Sequence, residues 1–401
     1  MQQNTGLPDD TVNLPLVVGV DLGGTQLRTA VLRGPTLLSR VGMLTGTNPA
    51  PERILPLIYK AVEQALAEAH VGMDAIAGIG IAAPGPLDHR TGIVFEPPNM
   101  PGWNRVPLRD LFAERFHVPV YVENDANACC LGEYMFGAGR GYSMIVYMTI
   151  STGIGGGVII NGEIMEGASG IAAELGHMTI DRYGERCTCG NIGCLEYIAS
   201  GTAIARHANK VIHAGEGAEL LNFARTMLQH SDTVTNQAGL PTMPGYEGET
   251  VELRFPPSSD STLDQSQKTQ EMLGIHEMQE TQPEDELVVN ARTVALAAEA
   301  GVPVARAIIQ DAAEALGIGL VNVIHIFNPD VIILGGGVTE MGPMLMEPAL
   351  HVVQEHAMKV SREAAHIVLA QLGHNVGLVG AGALIYHYGK RGKNGGTEGT
   401  A

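Results

Sequence analysis

Positive charge is scarce in this chain of 401 residues: 24 Lys and Arg stand against 43 Asp and Glu, for a net charge of −19. Nucleic-acid binding depends on neutralising phosphates, so the balance argues against a nucleic-acid partner. An anionic nucleotide is still allowed, because a nest of backbone N–H groups can hold phosphate without basic side chains. No run of eighteen apolar residues occurs, so no membrane span is expected. Residues 1–13 are polar and lack the apolar core of a secretory signal. The string G-x-x-x-x-G-K-[ST] is missing, and neither of the two long glycine runs opens a helix in the register a dinucleotide fold requires. Aromatic residues make up only 4%, with a single tryptophan, Trp103. Apolar residues at 45% and charged residues at 17% are an ordinary soluble balance, and the length suffices for two or three domains.

Three of the five cysteines fall in one short stretch. His177 is followed after nine residues by Cys187-Thr188-Cys189, and after four more by Cys194. Three thiolates and one imidazole are the ligand set of a closed structural zinc site. Gly190 and Gly193 let the backbone turn tightly between them. A disulfide cluster is the competing account, but the single residue between Cys187 and Cys189 makes them a poor pair. Free thiols beside a metal pattern, with no export signal, imply a reducing cytoplasm. Glu174 and Glu196 flank the segment. A metal holding both ends would bring these carboxylates together with the free N–H of His177, a set suited to a polyhydroxylated ligand such as a sugar. Taken singly, each Glu reads better as a solvated or capping residue.

Glu174-x-Gly176-His177 followed by Cys187-x-Cys189-Gly190-x-x-Gly193-Cys194-x-Glu196 resembles the signature of the ROK family of repressors, open reading frames and kinases. The resemblance runs from about Leu16 to Ile212 and again from about Asn290 to Tyr388. It implies an ATP-dependent sugar kinase with Mg2+ and a structural Zn2+.

Leu16–Val20 reads as a buried strand, Asp21-Leu22-Gly23-Gly24-Thr25 as a turn and Leu27–Leu32 as its return strand. Gly23 and Gly24 permit close approach to a phosphate, Thr25 adds a hydroxyl, and Asp21 suits a water-bridged Mg2+. Taken alone, this string reads better as a plain glycine hairpin; it also resembles the first phosphate loop of the fold shared by sugar kinases, actin and heat-shock chaperones. Met144–Ile150, the glycine run after it with Thr152, Gly153 and Gly155, and Val158–Ile160 form a second such hairpin, which points to a duplicated architecture. Gly336 and Gly337 follow the strand Val331–Leu334 and suit the flat face of an adenine or ribose. Pro51–His70 has the spacing of an amphipathic helix. The loop at 97–103 is shaped by three prolines and carries Asn99 and Trp103. In the family an equivalent loop lies beside the sugar, which makes Asn99 a contact; Trp103 reads as a packing anchor.

Glu123-Asn124-Asp125 stands at the end of a strand over Val118–Val122. As a bare residue Asp125 reads as the cap of the helix that follows. The segment resembles the family's catalytic one, which makes Asn124 a sugar contact and Asp125 the general base that also touches the sugar. Cys129 and Cys130 read as small buried hydrophobes. Val294–Ile326 has continuous helical periodicity.

The expected fold is α/β with two ribonuclease H-like lobes and a cleft between them, as in the actin/hexokinase-like ATPases. Residues 1–125 form the smaller lobe, joined by a C-terminal helix at about 376–390; residues 126–375 form the larger lobe with the zinc site, and 391–401 are a polar tail. An insertion at about 215–290 holds 14 Asp and Glu against 3 Lys and Arg, departs from the family pattern and is expected to be partly without fixed structure. The expected function is phosphorylation of glucose at its 6-hydroxyl. N-acetylglucosamine, N-acetylmannosamine and fructose are the alternative acceptors, and a sugar-sensing regulator is the rival class, disfavoured because the fifteen residues before the first strand leave no room for a helix-turn-helix. The substrate set is Asn99, Asn124, Asp125, Glu174, His177 and Glu196, and a homodimer or homotetramer is the expected assembly.

Overall fold

The apolar run Leu16–Leu22 forms a strand buried over nearly its whole length, and Gln26–Arg33 returns antiparallel to it with Asp21 directly opposite Arg28. In the computed structural model, which describes residues 13–46, 50–97, 100–231 and 289–394, this hairpin founds a six-stranded sheet. Ile76–Ala83 adds parallel to Leu16–Leu22, and Val120–Asn124 adds parallel to Ile76–Ala83. The second hairpin, Met144–Ile150 with Ile154–Ile160, repeats the plan: Val331–Gly335 and then His366–Leu369 add in parallel. Each sheet is thus an antiparallel hairpin followed by two crossover strands, the duplicated ribonuclease H-like order. The central strands read as continuous apolar runs because both faces are covered.

Pro51–Glu68 starts on a proline, which supplies the helical φ and lacks only an N–H that the first turn cannot use. Its buried stripe of Ile54, Ile58, Ala61, Val62 and Ala65 packs into the core of the first sheet with Trp103 and Phe112. Trp103 has no exposed surface, as a packing anchor requires.

Two helices meet where the two sheets adjoin. Asp125–Phe136 continues directly from the strand Val120–Asn124 and packs against the second hairpin. The closing helix, Val376–Asn394, follows the last strand of the second sheet and lies back across the first. They cross at Gly132 and Gly380. A Cβ at Gly380 would stand 2.2 Å from the Ala128 carbonyl oxygen, so only glycine admits this approach. Glu133, fully buried, accepts from the N–H groups of Ala138 at 2.8 Å, Gln371 at 3.2 Å and Leu372 at 2.9 Å. It fixes the end of the first helix to the turn that launches the second.

The expected continuous helix over Val294–Ile326 is two helices, Ala291–Glu299 and Pro303–Phe327. Gly301, at φ +95°, ends the first, and Pro303 begins the second. By length and composition Pro303–Phe327 could cross a membrane, but it forms the core of the second sheet's helical layer and most of it is buried. The span expected as an insertion opens on ordered structure. Ala218–Ser231 is a helix that buries Leu220 and Ala224 against neighbouring helices; residues 232–288 lie outside the described residues.

Candidate active site

Strand ends and turns, where the backbone leaves the sheets, carry the site. In the first turn the Gly23 N–H donates to the Gln26 oxygen at 2.9 Å and the Thr45 hydroxyl donates to the Gly24 oxygen at 2.6 Å, leaving Gly24 and Thr25 partly or fully open to solvent. Asp21, 9% exposed, pairs with Arg28, whose other nitrogen donates to the His374 oxygen at 2.8 Å. Burial holds the Asp21 carboxyl above its ordinary range despite Arg28 and Arg40. The second turn, Ser151–Gly153, abuts Gly336, whose φ of +92° and contact with the Ile150 backbone exclude any side chain. Thr152 and Gly337 are exposed beside it.

The zinc-type segment is built onto this second hairpin. Gly176 packs so closely that a Cβ would stand 2.0 Å from the Ile154 oxygen. Gly190 and Gly193 turn at φ +93° and +61°, and the chain returns to pair Thr179 with Cys194. The ligand atoms of His177, Cys187, Cys189 and Cys194 lie within 4.8 Å of one another. Cys189 Sγ is 3.7 Å from Cys194 Sγ, and Cys187 Sγ is 3.8 Å from His177 Nδ1. Tetrahedral zinc with ligands at about 2.3 Å needs edges of about 3.8 Å, so the cluster has the right size. Glu196, two residues beyond Cys194, accepts from the Ile154 N–H at 2.8 Å and fills the space over Gly153. Burial pushes the Glu174 carboxyl up; His177 opposes the shift, and the Glu196 carboxylate adds to it.

Asn124, not Asp125, caps the helix that follows. Its Oδ1 accepts from Ala126 N at 3.0 Å and Asn127 N at 3.3 Å, and Asp125 is the first helical residue. One residue decides the matter, because Asn124 has the extended backbone a cap needs and Asp125 does not. With its oxygen committed to the helix, Asn124 turns Nδ2 towards the Gly85 turn. Asp125 remains open to the cleft. Crowding by the cleft walls, with the Asp21 and Glu174 carboxylates adding to it, pushes its carboxyl up to about 6. Water reaches Asp125 in the open cleft and screens part of this shift, which is fully developed only once water is expelled.

A recess beside this segment is lined by Gly85, Leu87, Asn124, Asn127, Ile171 and Glu174. His89 and Arg90 bridge its edge to Glu166, at 2.8 Å and 3.3 Å. The structure therefore brings together Asp21, Asn124, Asp125, Glu174, His177 and Glu196; Asn99 lies outside the described residues. Sequence reasoning missed the buried support of this group. Glu123, 1% exposed, accepts from Asn124 N at 2.9 Å, Asn127 Nδ2 at 3.2 Å and the Tyr388 hydroxyl at 3.2 Å. The four-residue spacing of Glu123 and Asn127 was the available signal; nothing local announces Tyr388.

Residues 17–239 and 269–387 match the ROK family, and the chain belongs to it. More particularly, the chain is 32% identical over 370 residues to a glucokinase of Thermotoga maritima, covering 92% of this chain and 96% of that protein. A crystal structure of a ROK family glucokinase from Streptomyces griseus in complex with glucose and AMPPNP is similar, with a TM-score of 0.67 and 29% identity over 92% of this chain and 98% of that one. A putative xylose repressor of Caldicellulosiruptor is 28% identical over 93% of this chain and 78% of its own length.

Proposed function

We propose that this protein is an ATP-dependent hexokinase that phosphorylates glucose at its 6-hydroxyl. The observation that carries the reading is the position of Asp125. It stands open to the cleft at the start of the helix joining the two sheets, within electrostatic reach of Asp21 at the first glycine hairpin and Glu174 at the zinc-type segment. The similarity to glucokinases over nearly the full chain supports it.

The sugar lies in the recess at Asn124 and Glu174, with His177 and Glu196 at its far side. Asn124 Nδ2 donates to it, and the carboxylates accept from its hydroxyls. The glycine turns at Gly23, Gly24, Gly153 and Gly155 let the backbone approach the phosphates, the hydroxyls of Thr25 and Thr152 donate to them, and Gly336 and Gly337 offer a flat backbone face to the base. Asp125 Oδ takes the hydroxyl proton as the oxygen attacks the terminal phosphorus, and the bond from that phosphorus to the bridging oxygen breaks to release ADP. The carboxylate Asp21, buried and paired with Arg28, fits a water-bridged Mg2+, which when bound neutralises phosphate charge. Closure of the sheets over the ligands excludes water and limits hydrolysis.

Zinc fits the cluster of His177, Cys187, Cys189 and Cys194, where it would be structural. His177 would bind through Nδ1 and keep its other nitrogen for the sugar. Identification of the product by NMR tests the function: glucose with ATP should yield the 6-phosphate, and transfer to another oxygen or no transfer contradicts it. The similarity to a putative xylose repressor supports a second reading, a sugar-binding regulator, which differs in binding sugar without turnover.

A further inference from the structure

The geometry points to Asn127 as a sugar-binding residue that offers its side-chain carbonyl oxygen to one hydroxyl of the bound hexose. This deepens the kinase reading and rests on the sugar occupying the recess.

Asn127 lies in the first turn of the helix Asp125–Phe136, 4% exposed, and its side of that turn lines the recess with Asn124 and Glu174. Its amide has two chemically opposite ends, and their assignment follows from Glu123. The Glu123 carboxylate offers only acceptors. Oε1 already takes the Asn124 N–H at 2.9 Å, and Oε2 takes the Tyr388 hydroxyl at 3.2 Å. The end of Asn127 that faces Oε1 at 3.2 Å must therefore be the NH2 group. An inverted amide would set oxygen against oxygen. The lock on Nδ2 determines the other end: Oδ1 faces away from Glu123, and it has no donor within reach. A buried acceptor without a donor is costly, and the cost is removed when a donor arrives.

The recess supplies few donors of its own. Its lining includes the stretch 170–172, of Gly, Ile and Ala, none with a polar side chain, and Glu174, whose carboxylate is an acceptor. A hydroxyl-bearing ligand fills the need. The ligand can donate one hydroxyl to Asn127 Oδ1 and another to Glu174, while accepting from Asn124 Nδ2 in the same recess. A bare carbonyl or carboxylate ligand, which brings no donor, leaves Oδ1 as it was. Glu123 thus acts at one remove, by holding the polarity of Asn127.

The test compares binding of glucose and the monodeoxyfluoro-glucoses by calorimetry to the native protein, Asn127→Ala and Glu123→Gln. Fluorine keeps the size of a hydroxyl but cannot donate. The native protein should bind one analogue about tenfold more weakly than glucose because of this contact. Asn127→Ala should bind glucose about tenfold more weakly and lose discrimination against that analogue alone. Glu123→Gln supplies a donor beneath Asn127, lets its amide invert and should erase the same discrimination while retaining the fold, so the test stands if the alanine variant fails to fold. Weakening of glucose and all analogues by one common factor in both variants overturns the assignment and leaves Oδ1 a structural group. Failure of the native protein to bind any hexose overturns the kinase reading, and this assignment with it.

Discussion

Asp125→Asn separates a general base from a structural carboxylate, and the structure sets the size of each effect. Asn124 carries the helix cap, so the change leaves the cap in place. The one N–H that Asp125 Oδ1 accepts, from Ala126 at 2.8 Å, is shared with Asn124 and can be accepted equally by an amide oxygen. One negative charge leaves a site where Asp21 and Glu174 repel it. In the open protein the Asp125 carboxyl is held above its ordinary 3.8, so the fold favours the protonated form, and ionising Asp125 costs stability as pH rises past that value. Asp125→Asn should therefore melt no lower than the native protein at pH 7.5. Turnover should fall on the order of 10²-fold or more, about 2.7 kcal/mol of barrier, because the amide cannot take the proton. Native kcat should decline as pH falls below about 6, where Asp125 is protonated, and the residual activity of the variant should lack that limb. Glucose affinity should change by a few-fold at most. A folded Asp125→Asn protein with near-native kcat refutes the assignment of Asp125 as base.

Other perturbations probe the parts around it. Cys189→Ser should lose the metal, measured as about one zinc per chain in the native protein by atomic absorption, and activity with it; active native protein without zinc contradicts the site. Glu133→Ala leaves one buried and two part-buried N–H groups without their acceptor and should cost about 3 kcal/mol, lowering Tm by about 4 °C in a thermal scan. An unchanged Tm would show that water replaces the carboxylate there. Replacing residues 240–268, the span outside the family match, by a short Gly/Ser linker should leave kcat within a few-fold in a coupled assay. Loss of activity in a folded deletion would place that span in the site or an essential interface.

Much of the site was legible because its chemistry is written in short spacings. Two glycine turns between apolar runs announced the paired hairpins, and four ligands within eighteen residues announced the zinc-type cluster. What escaped has identifiable causes. The cap shifted by one residue, from Asp125 to Asn124, because both residue types cap well and only the backbone angle distinguishes them. The break at Gly301-Val302-Pro303 hid inside a stretch whose apolar periodicity continues on both sides. Glu123, Glu133 and Arg28 looked like ordinary charged residues, because their partners Tyr388, Leu372 and His374 lie more than two hundred residues away in sequence.

The central claim is tested most directly by kcat/KM with ATP and Mg2+ across glucose, N-acetylglucosamine, N-acetylmannosamine, mannose and fructose. The account expects turnover with the highest kcat/KM for glucose. A higher value for an N-acetylhexosamine or fructose would contradict the assigned substrate, and binding of sugar without phosphoryl transfer to any of them would contradict the account itself.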